Sequence, residues 1–139
     1  MSWGAEDLSA ALGASSKYDA DGKLAFTYRM ARSLCLAGAV AAGVQPVDGV
    51  FADFRDDEGL REEAEEARRE GFTGKLAIHP AQVPVINAAF TPSPEDVAHA
   101  EEIVAAFEAQ PDAGVLSVGG KMVDRPHLVQ ARRVLERAR

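Results

Sequence analysis

The sequence predicts an α/β fold in which helices cover a parallel β-sheet. Its predicted elements alternate as strand, helix, strand, helix, strand and helix, followed by a second helix, a short strand and a closing helix. The predicted strands are short and almost wholly apolar, which is typical of strands buried on both faces of a parallel sheet. The 139 residues, 47% hydrophobic and 27% charged, have the composition of one globular domain. Two architectures remain open, a small doubly wound sheet and part of a (β/α)8 barrel, whose complete form needs about 250 residues.

The N-terminal region contains a strand end, two helices and a loop. Residues 1–3 are apolar enough to end a strand, and residues 4–13 then form a short helix. Residues 15–23 predict a loop, because serine, aspartate and glycine bond with their own backbone or accept a positive φ. Residues 24–43 predict a helix rich in small residues.

The middle of the chain predicts two buried strands with an amphipathic helix between them. Residues 47–51 form one apolar strand, and Gly74 and Pro80 bound a second strand at 75–79. The helix between them has apolar residues at i, i+4 and i+7 spacing, which predicts a buried stripe. The stripe consists of Leu60, Ala64 and Ala67. A further short helix ends at Phe90.

The last third of the chain predicts two helices and one more strand. Ser93 and Pro94 begin a helix, because a hydroxyl cap and a proline at the first position suit a helix N-terminus. Its buried stripe consists of Val97, Ala100, Val104 and Phe107. Residues 115–118 predict a last strand, which a glycine pair ends, and Pro126 opens a closing helix.

Charge and cysteine content exclude several classes of protein. Acidic residues outnumber basic residues 22 to 15, and this net charge of −7 argues against nucleic acid as a partner. The single Cys35 cannot form an internal disulfide or a thiolate zinc site. The longest apolar run, residues 34–44, is too short to cross a membrane, and the N-terminus lacks the pattern of a secretion signal. These features predict a cytoplasmic protein without a membrane partner.

Five segments stand out along the chain, in this order: GAEDL at 4–8, DGVFAD at 48–53, GFTGKLAIHP at 71–80, FTPS at 90–93 and GKMVDRP at 120–126. Together they resemble the C-terminal half of the citrate lyase beta subunit-like family of CoA-ester lyases. The family includes citryl-CoA, malyl-CoA and citramalyl-CoA lyases and some malyl-CoA thioesterases. The resemblance implies the C-terminal half of a (β/α)8 TIM barrel, with parallel strands, covering helices and a C-terminal helical segment.

The resemblance also implies a domain organisation and a set of ligands. Residues 1–110 would form the last strands and helices of the barrel. Residues 111–139 would form a C-terminal segment that carries the Gly-Lys-Met-Val-Asp motif and packs on a neighbouring subunit of a homo-oligomer. The family uses Mg²⁺, with an acyl-CoA thioester and a 2-oxo acid as its small-molecule substrates and products.

Two adjacent carboxylates, Glu6 and Asp7, follow the first predicted strand. In barrels this is the end of the strand at which active sites lie, and Mg²⁺ prefers such oxygen ligands. Because strand side chains alternate, only one of the pair is expected to face the barrel mouth. The alternative is that Asp7 caps the helix that follows. The resemblance implies that Asp7 is the metal ligand, and the family's second ligand, an earlier Glu, has no counterpart in this sequence.

Asp124 lies between a glycine pair and the closing helix. Its ordinary interpretation is a carboxylate that satisfies amide donors at the helix start. The resemblance instead implies that Asp124 is the catalytic acid/base. It would move a proton to or from the carbon of the acetyl-CoA enolate, or from water in a thioesterase.

Three further residues are candidates for binding CoA. The resemblance places His79 in an Ile-His-Pro motif near CoA and matches Arg32 to an Ala-Arg-Ser motif of the family. Lys121, beside the glycine pair, is a candidate contact for the nucleotide end of CoA. The alternatives are a structural histidine at a strand end and an ordinary ion-paired arginine.

The predicted function is a Mg²⁺-dependent lyase that cleaves or forms a C–C bond next to an acyl-CoA thioester. One alternative is a malyl-CoA-type thioesterase, which would use the same metal and Asp124 with water as the attacking group. Another is a non-catalytic truncated remnant that only binds or oligomerises. Because the second metal ligand has no counterpart, the chain as written is expected to show little or no lyase turnover.

Overall fold

The computed structural model of the protein describes residues 1–138 and divides the chain into two compact units, Met1–Phe90 and Thr91–Arg139. The first unit contains α1 (Ala5–Leu12), α2 (Phe26–Ala41), β1 (Val47–Asp48), α3 (Asp57–Glu70), β2 (Gly74–Lys75) and α4 (Gln82–Phe90). The second unit contains α5 (Pro94–Ala109), β3 (Val115–Val118), β4 (Lys121–Asp124) and α6 (Arg125–Arg137). None of the helices within residues 1–138 combines the length and apolar character that crossing a bilayer requires.

The first unit is built on a parallel pair of strands, as the sequence predicts. β1 and β2 run parallel, with Val47 opposite Gly74 and Asp48 opposite Lys75. No strand is assigned to residues 1–3, but Met1 has the hydrogen bonds of a parallel ladder. Its nitrogen donates to Gln45 O at 2.6 Å, and its carbonyl accepts from Val47 N at 2.8 Å. The N-terminal segment therefore runs beside β1.

Both parallel strands are shorter than the predicted strands at 47–51 and 75–79. Gln82, which is 0% exposed, explains the difference. Its Oε1 accepts from Ile78 N at 2.9 Å, and its Nε2 donates to Phe51 O at 2.9 Å. A side-chain amide therefore takes the place of the next ladder hydrogen bonds between the two strands.

Helix α3 covers the sheet with the predicted stripe. Leu60, Ala64 and Ala67 are all buried. The Asp56 side chain caps the helix by accepting from Gly59 N at 2.9 Å, and Gly71 ends it with a φ of 115°. The helix therefore has defined ends on either side of its buried stripe.

The second unit contains a β-hairpin that the sequence analysis did not predict. The predicted strand at 115–118 is β3, but it pairs antiparallel with β4 and is not part of the parallel sheet. Gly119 and Gly120 join the two strands with φ values of 56° and 75°. Two consecutive positive φ angles are those of a tight hairpin turn that matches the strand twist.

The core of the second unit lies between α5, α6 and the hairpin. Ser93 caps α5 as predicted, because its hydroxyl accepts from Asp96 N at 3.1 Å while Asp96 Oδ2 accepts from Ser93 N at 3.2 Å. The core consists of Ala100, Ile103, Phe107, Val118, Val123, Leu128 and Ala131. Helix α5 thus packs with the C-terminal elements. The predicted division into residues 1–110 and 111–139 stays a prediction.

Candidate active site

A polar cleft of about 1380 Å³ lies in the first unit. The residues that directly follow the N-terminal segment, β1 and β2 all line it, namely Gly4, Gly49 and Leu76. The cleft therefore lies at the C-terminal ends of the parallel strands. Barrel enzymes place their catalytic groups at this end of the sheet.

The two adjacent carboxylates of α1 both line the cleft but differ in their partners. Glu6 forms an ion pair with Lys17. Asp7 lines the cleft and makes no hydrogen bond or ion pair with any group in residues 1–138. Gly4 is the N-cap residue of α1 and no side chain caps it, so the alternative role of Asp7 as a cap is not observed. Asp7 is thus the carboxylate of the pair that is free to bind a ligand.

The donor set around Asp7 fits a magnesium ion only in part. Mg²⁺ is commonly held by one or two carboxylates, with water and substrate oxygens completing its shell. Asp7 supplies one such oxygen group. Within residues 1–138 there is no group of three or more His, Cys, Asp or Glu side chains that could hold a metal. Asp7 therefore fits as one ligand of a magnesium ion, and other groups would have to fill the remaining positions.

A buried ionic network, centred on Asp48, forms one wall of the cleft. Asp48 is 1% exposed and accepts from Trp3 Nε1 at 2.8 Å, Arg32 Nε at 2.9 Å and Lys75 Nζ at 3.3 Å. Burial alone raises the pKa of Asp48. The hydrogen bond from Arg32 and the charge of Lys75 outweigh burial and hold this pKa below its usual range. Asp48 is therefore a buried but ionised carboxylate.

Arg32 belongs to the same network. Besides Asp48 it pairs with Glu70, and its guanidinium carbon lies 4.9 Å from the centre of the Phe72 ring. The alternative interpretation of Arg32 as an ordinary ion-paired arginine therefore describes its surroundings in the structure. Arg32 lines the cleft, and its contact with CoA stays a prediction.

His79 follows β2 but is not among the residues that line this cleft. Its ring stacks on Phe54 with 4.7 Å between centroids, and its Nδ1 accepts from Ala81 N at 3.2 Å. With Nδ1 as acceptor, the ring proton of neutral His79 is on Nε2. The exposed Nε2–H is therefore the group that His79 can offer to a ligand.

Asp124 is the N-cap residue of α6 and is paired with His127. Its Oδ1 lies 2.5 Å from His127 Nδ1, and its backbone nitrogen lies 3.2 Å from the same atom. The hydrogen bond with the His127 side chain lowers the pKa of Asp124 below its usual range. Asp124 is therefore ionised at neutral pH. His127 was not expected from the sequence, although its spacing of three residues from a helix N-cap is that of a capping box.

Lys121 lies at the other end of β4 from Asp124. It pairs with Val118 next to the hairpin turn, whereas Asp124 pairs with Val115 at the open end of the hairpin. Because they are an odd number of residues apart on one strand, their side chains leave opposite faces of the hairpin. The two candidates in the second unit are therefore not brought together.

Comparison with a family model and with known proteins points to one family. A family model for C–C bond lyases of the TIM-barrel fold matches residues 24–139. A (3S)-malyl-CoA thioesterase of Cereibacter sphaeroides is 45% identical over 140 residues, which cover 99% of this chain and 47% of that protein. A mitochondrial citramalyl-CoA lyase of Rattus norvegicus is 41% identical over 96% of this chain and 38% of that protein.

A solved structure shows the same similarity in three dimensions. The crystal structure of CitE from Mycobacterium tuberculosis, in complex with magnesium, acetoacetate and coenzyme A, matches with a TM-score of 0.86 and 43% identity. The match covers 99% of this chain and 51% of that one. This chain thus spans about half the length of the proteins it resembles.

Proposed function

We propose, since this chain belongs to the C–C bond lyase family of the TIM-barrel fold, that the protein is a Mg²⁺-dependent lyase of CoA esters. It would cleave or form a C–C bond next to an acyl-CoA thioester, with acetyl-CoA and a 2-oxo acid as the two products of cleavage. The similar CitE structure, with its magnesium, acetoacetate and coenzyme A, supports this choice of ligands.

The observation that carries the proposal is the unpaired carboxylate of Asp7 in a cleft at the C-terminal ends of parallel strands. Asp7 would hold Mg²⁺, which would bind the 2-oxo acid and stabilise the oxygen charge that develops on it. The neighbouring Glu6 is neutralised by Lys17 and would not compete for the ion.

Asp124 is the proposed acid/base. In its ionised form Asp124 would take a proton from the methyl carbon of acetyl-CoA when the C–C bond forms. In the cleavage direction the same proton returns to the enolate carbon. We propose that the C-terminal segment brings Asp124 to the cleft of a neighbouring copy in a homo-oligomer.

The remaining candidates are assigned to CoA. His79 would donate from its exposed Nε2–H, and Lys121 and Arg32 would offer positive charge to phosphate groups. A cytoplasmic location is part of the proposal and is supported by the single cysteine.

The experiment is a product assay with malyl-CoA, citramalyl-CoA and citryl-CoA, in Mg²⁺ and in EDTA. We expect acetyl-CoA and a 2-oxo acid only with Mg²⁺, and loss of both in Asp124→Ala. The assay uses the chain alone and a chimera that adds the preceding half of the M. tuberculosis relative. A chimera without turnover on any of these esters would overturn the lyase assignment.

Thioester hydrolysis is a second candidate, because a malyl-CoA thioesterase is 45% identical to this chain. In that reaction Asp124 would accept a proton from the attacking water. The same assay separates the two reactions, since hydrolysis releases free CoA and the intact hydroxy acid. A chain that binds CoA esters and oligomerises, but whose chimera has neither activity, would be the non-catalytic remnant.

A further inference from the structure

We propose that Asp48 is a positioning residue for the metal site: its buried carboxylate holds Trp3, and Trp3 fixes the start of α1, where Asp7 lies. The inference rests on the proposed metal role of Asp7. It assigns a task to a carboxylate that the proposed chemistry does not use.

Asp48 connects Trp3 to the most constrained part of the first unit. The Trp3 indole Nε1 donates to Asp48 Oδ1 at 2.8 Å. Arg32 and Lys75 hold the same carboxylate from α2 and β2. A hydrogen bond to an ionised acceptor is stronger than one between neutral groups. The indole is therefore bound to an ionised acceptor that Arg32 and Lys75 also hold.

Trp3 also packs against the main chain next to Asp48. A Cβ atom at Gly49 would lie 3.3 Å from Trp3 O and 3.4 Å from Trp3 Nε1, so Trp3 lies against the Gly49 backbone. Two residues earlier, the Met1 carbonyl accepts from Val47 N at 2.8 Å. The N-terminal segment is therefore held to β1 by its backbone and by its one large side chain.

Trp3 directly precedes the turn that carries Asp7. Gly4 is the N-cap residue of α1, and its carbonyl accepts from Leu8 N at 3.1 Å. A Cβ atom at Gly4 would lie 2.9 Å from Asp7 Oδ2, so the Asp7 carboxylate packs on the residue after Trp3. Mg²⁺ demands nearly ideal octahedral geometry, so displacement of this turn weakens metal binding.

The test removes the hydrogen bond from the tryptophan side. Trp3→Phe keeps an aromatic ring and leaves Asp48 with its Arg32 and Lys75 partners. The matched control is Tyr28→Phe, because the buried Tyr28 hydroxyl has no hydrogen-bond partner within the described residues. Gly49→Ala is a second variant, which displaces Trp3 by contact without removing a charge or a donor.

The first measurement is hydrogen exchange of the Leu8 amide in metal-free protein, followed by NMR. We expect Trp3→Phe and Gly49→Ala to speed exchange by about tenfold or more, since a bond to a charged group is lost or distorted. Tyr28→Phe should exchange like the wild type. Unchanged exchange in the folded Trp3 and Gly49 variants would overturn the positioning role, whatever the metal does.

The second measurement is a titration with Mn²⁺, which accepts the same oxygen ligands and broadens nearby NMR signals. We expect broadening of the α1 amides in wild type, its loss in Asp7→Asn, and an affinity about tenfold lower in Trp3→Phe. Wild-type affinity in Trp3→Phe would also overturn the inference. If Asp7→Asn binds Mn²⁺ like the wild type, the metal role of Asp7 fails, and exchange at Leu8 still decides whether Asp48 fixes α1.

Discussion

Glu6 and Asp7 are adjacent and chemically similar, yet the structure gives them different surroundings. The expectation from strand alternation that only one of the two faces the cleft is wrong, because both residues lie in helix α1 and both line the cleft. Lys17 distinguishes them instead, because it pairs with Glu6 from eleven residues away. The loop between α1 and α2 brings Lys17 back, and no local pattern around Glu6 reveals that return. From the residues alone, Asp7 was one of two equal candidates, and only the resemblance selected it.

This difference predicts different effects of two neutralising substitutions. Asp7→Asn should weaken Mg²⁺ binding at least about tenfold, because it removes a charged oxygen ligand. Glu6→Gln should change the affinity less than about twofold, because Lys17 already neutralises Glu6. Isothermal titration with Mg²⁺ measures both. An equal loss of affinity in the two variants would mean that the ion pair does not distinguish these carboxylates.

Asp124 and His127 form a pair that the sequence did not lead us to expect. The pairing predicts that His127→Ala raises the pKa of Asp124 toward the ordinary aspartate value of about 3.9, because the hydrogen bond that favours the ionised form is lost. The measurement is a carboxyl ¹³C NMR titration. The control is His99→Ala, because His99 pairs with Glu102 on α5, whereas His127 pairs with Asp124. An Asp124 titration that is identical in all three proteins would contradict the pairing.

At the scale of elements, helices follow from local sequence better than strand lengths do. The α3 stripe and the Ser93 cap depend on residues three or four positions apart, and both are as predicted. The strands at 47–51 and 75–79 end early because Gln82 bonds with Phe51 and Ile78. A glutamine three residues after the predicted strand at 75–79 and far in sequence from the strand at 47–51 gives no such signal in the sequence.

The hairpin was missed for a different reason. The glycine pair was interpreted as the end of a strand, although two glycines between apolar runs are also typical of a two-residue hairpin turn. The polar residues within 121–124 gave no apolar run to match β3. The alternating pattern of a half-exposed strand, with Val123 buried and Met122 exposed, was the available signal.

The hairpin turn predicts that two glycine substitutions differ in their effect on the free energy of unfolding. Gly119→Ala should destabilise the protein by about 1 kcal/mol, because an L-residue pays that cost at a φ of 56°. Gly114→Ala should change stability by less than about 0.5 kcal/mol, because its Cβ meets no atom within 4 Å and its φ is not positive. Urea unfolding followed by circular dichroism gives both values. Equal losses would contradict the turn geometry.

At the scale of the whole molecule, the Asp48 network predicts a sensitivity to acid. The lowered pKa of Asp48 means that its contribution to stability is complete above about pH 5, where the unfolded aspartate is also ionised. This contribution is lost as pH falls through the native pKa, because the folded state must then accept a proton that it disfavours.

Asp48→Asn tests this sensitivity. At pH 7 we expect a loss of about 3 kcal/mol, since one partner of a buried ionic network is removed. Below pH 4 the difference between variant and wild type should shrink, because the wild type loses the same contribution. Urea unfolding between pH 2.5 and pH 7 measures it, with the exposed Glu101→Gln as control. A difference that stays constant over this range would refute the linkage.

The indole that donates to Asp48 has an optical consequence. Trp3 is the one tryptophan of the chain, and both tyrosines, Tyr18 and Tyr28, also lie before Phe90. Tryptophan and tyrosine fluorescence therefore originates from the Met1–Phe90 unit and does not report on Thr91–Arg139. Heating curves recorded by emission and by ellipticity would coincide if both units melt together. A gap between the two curves would give the separate melting temperature of each unit without any added label.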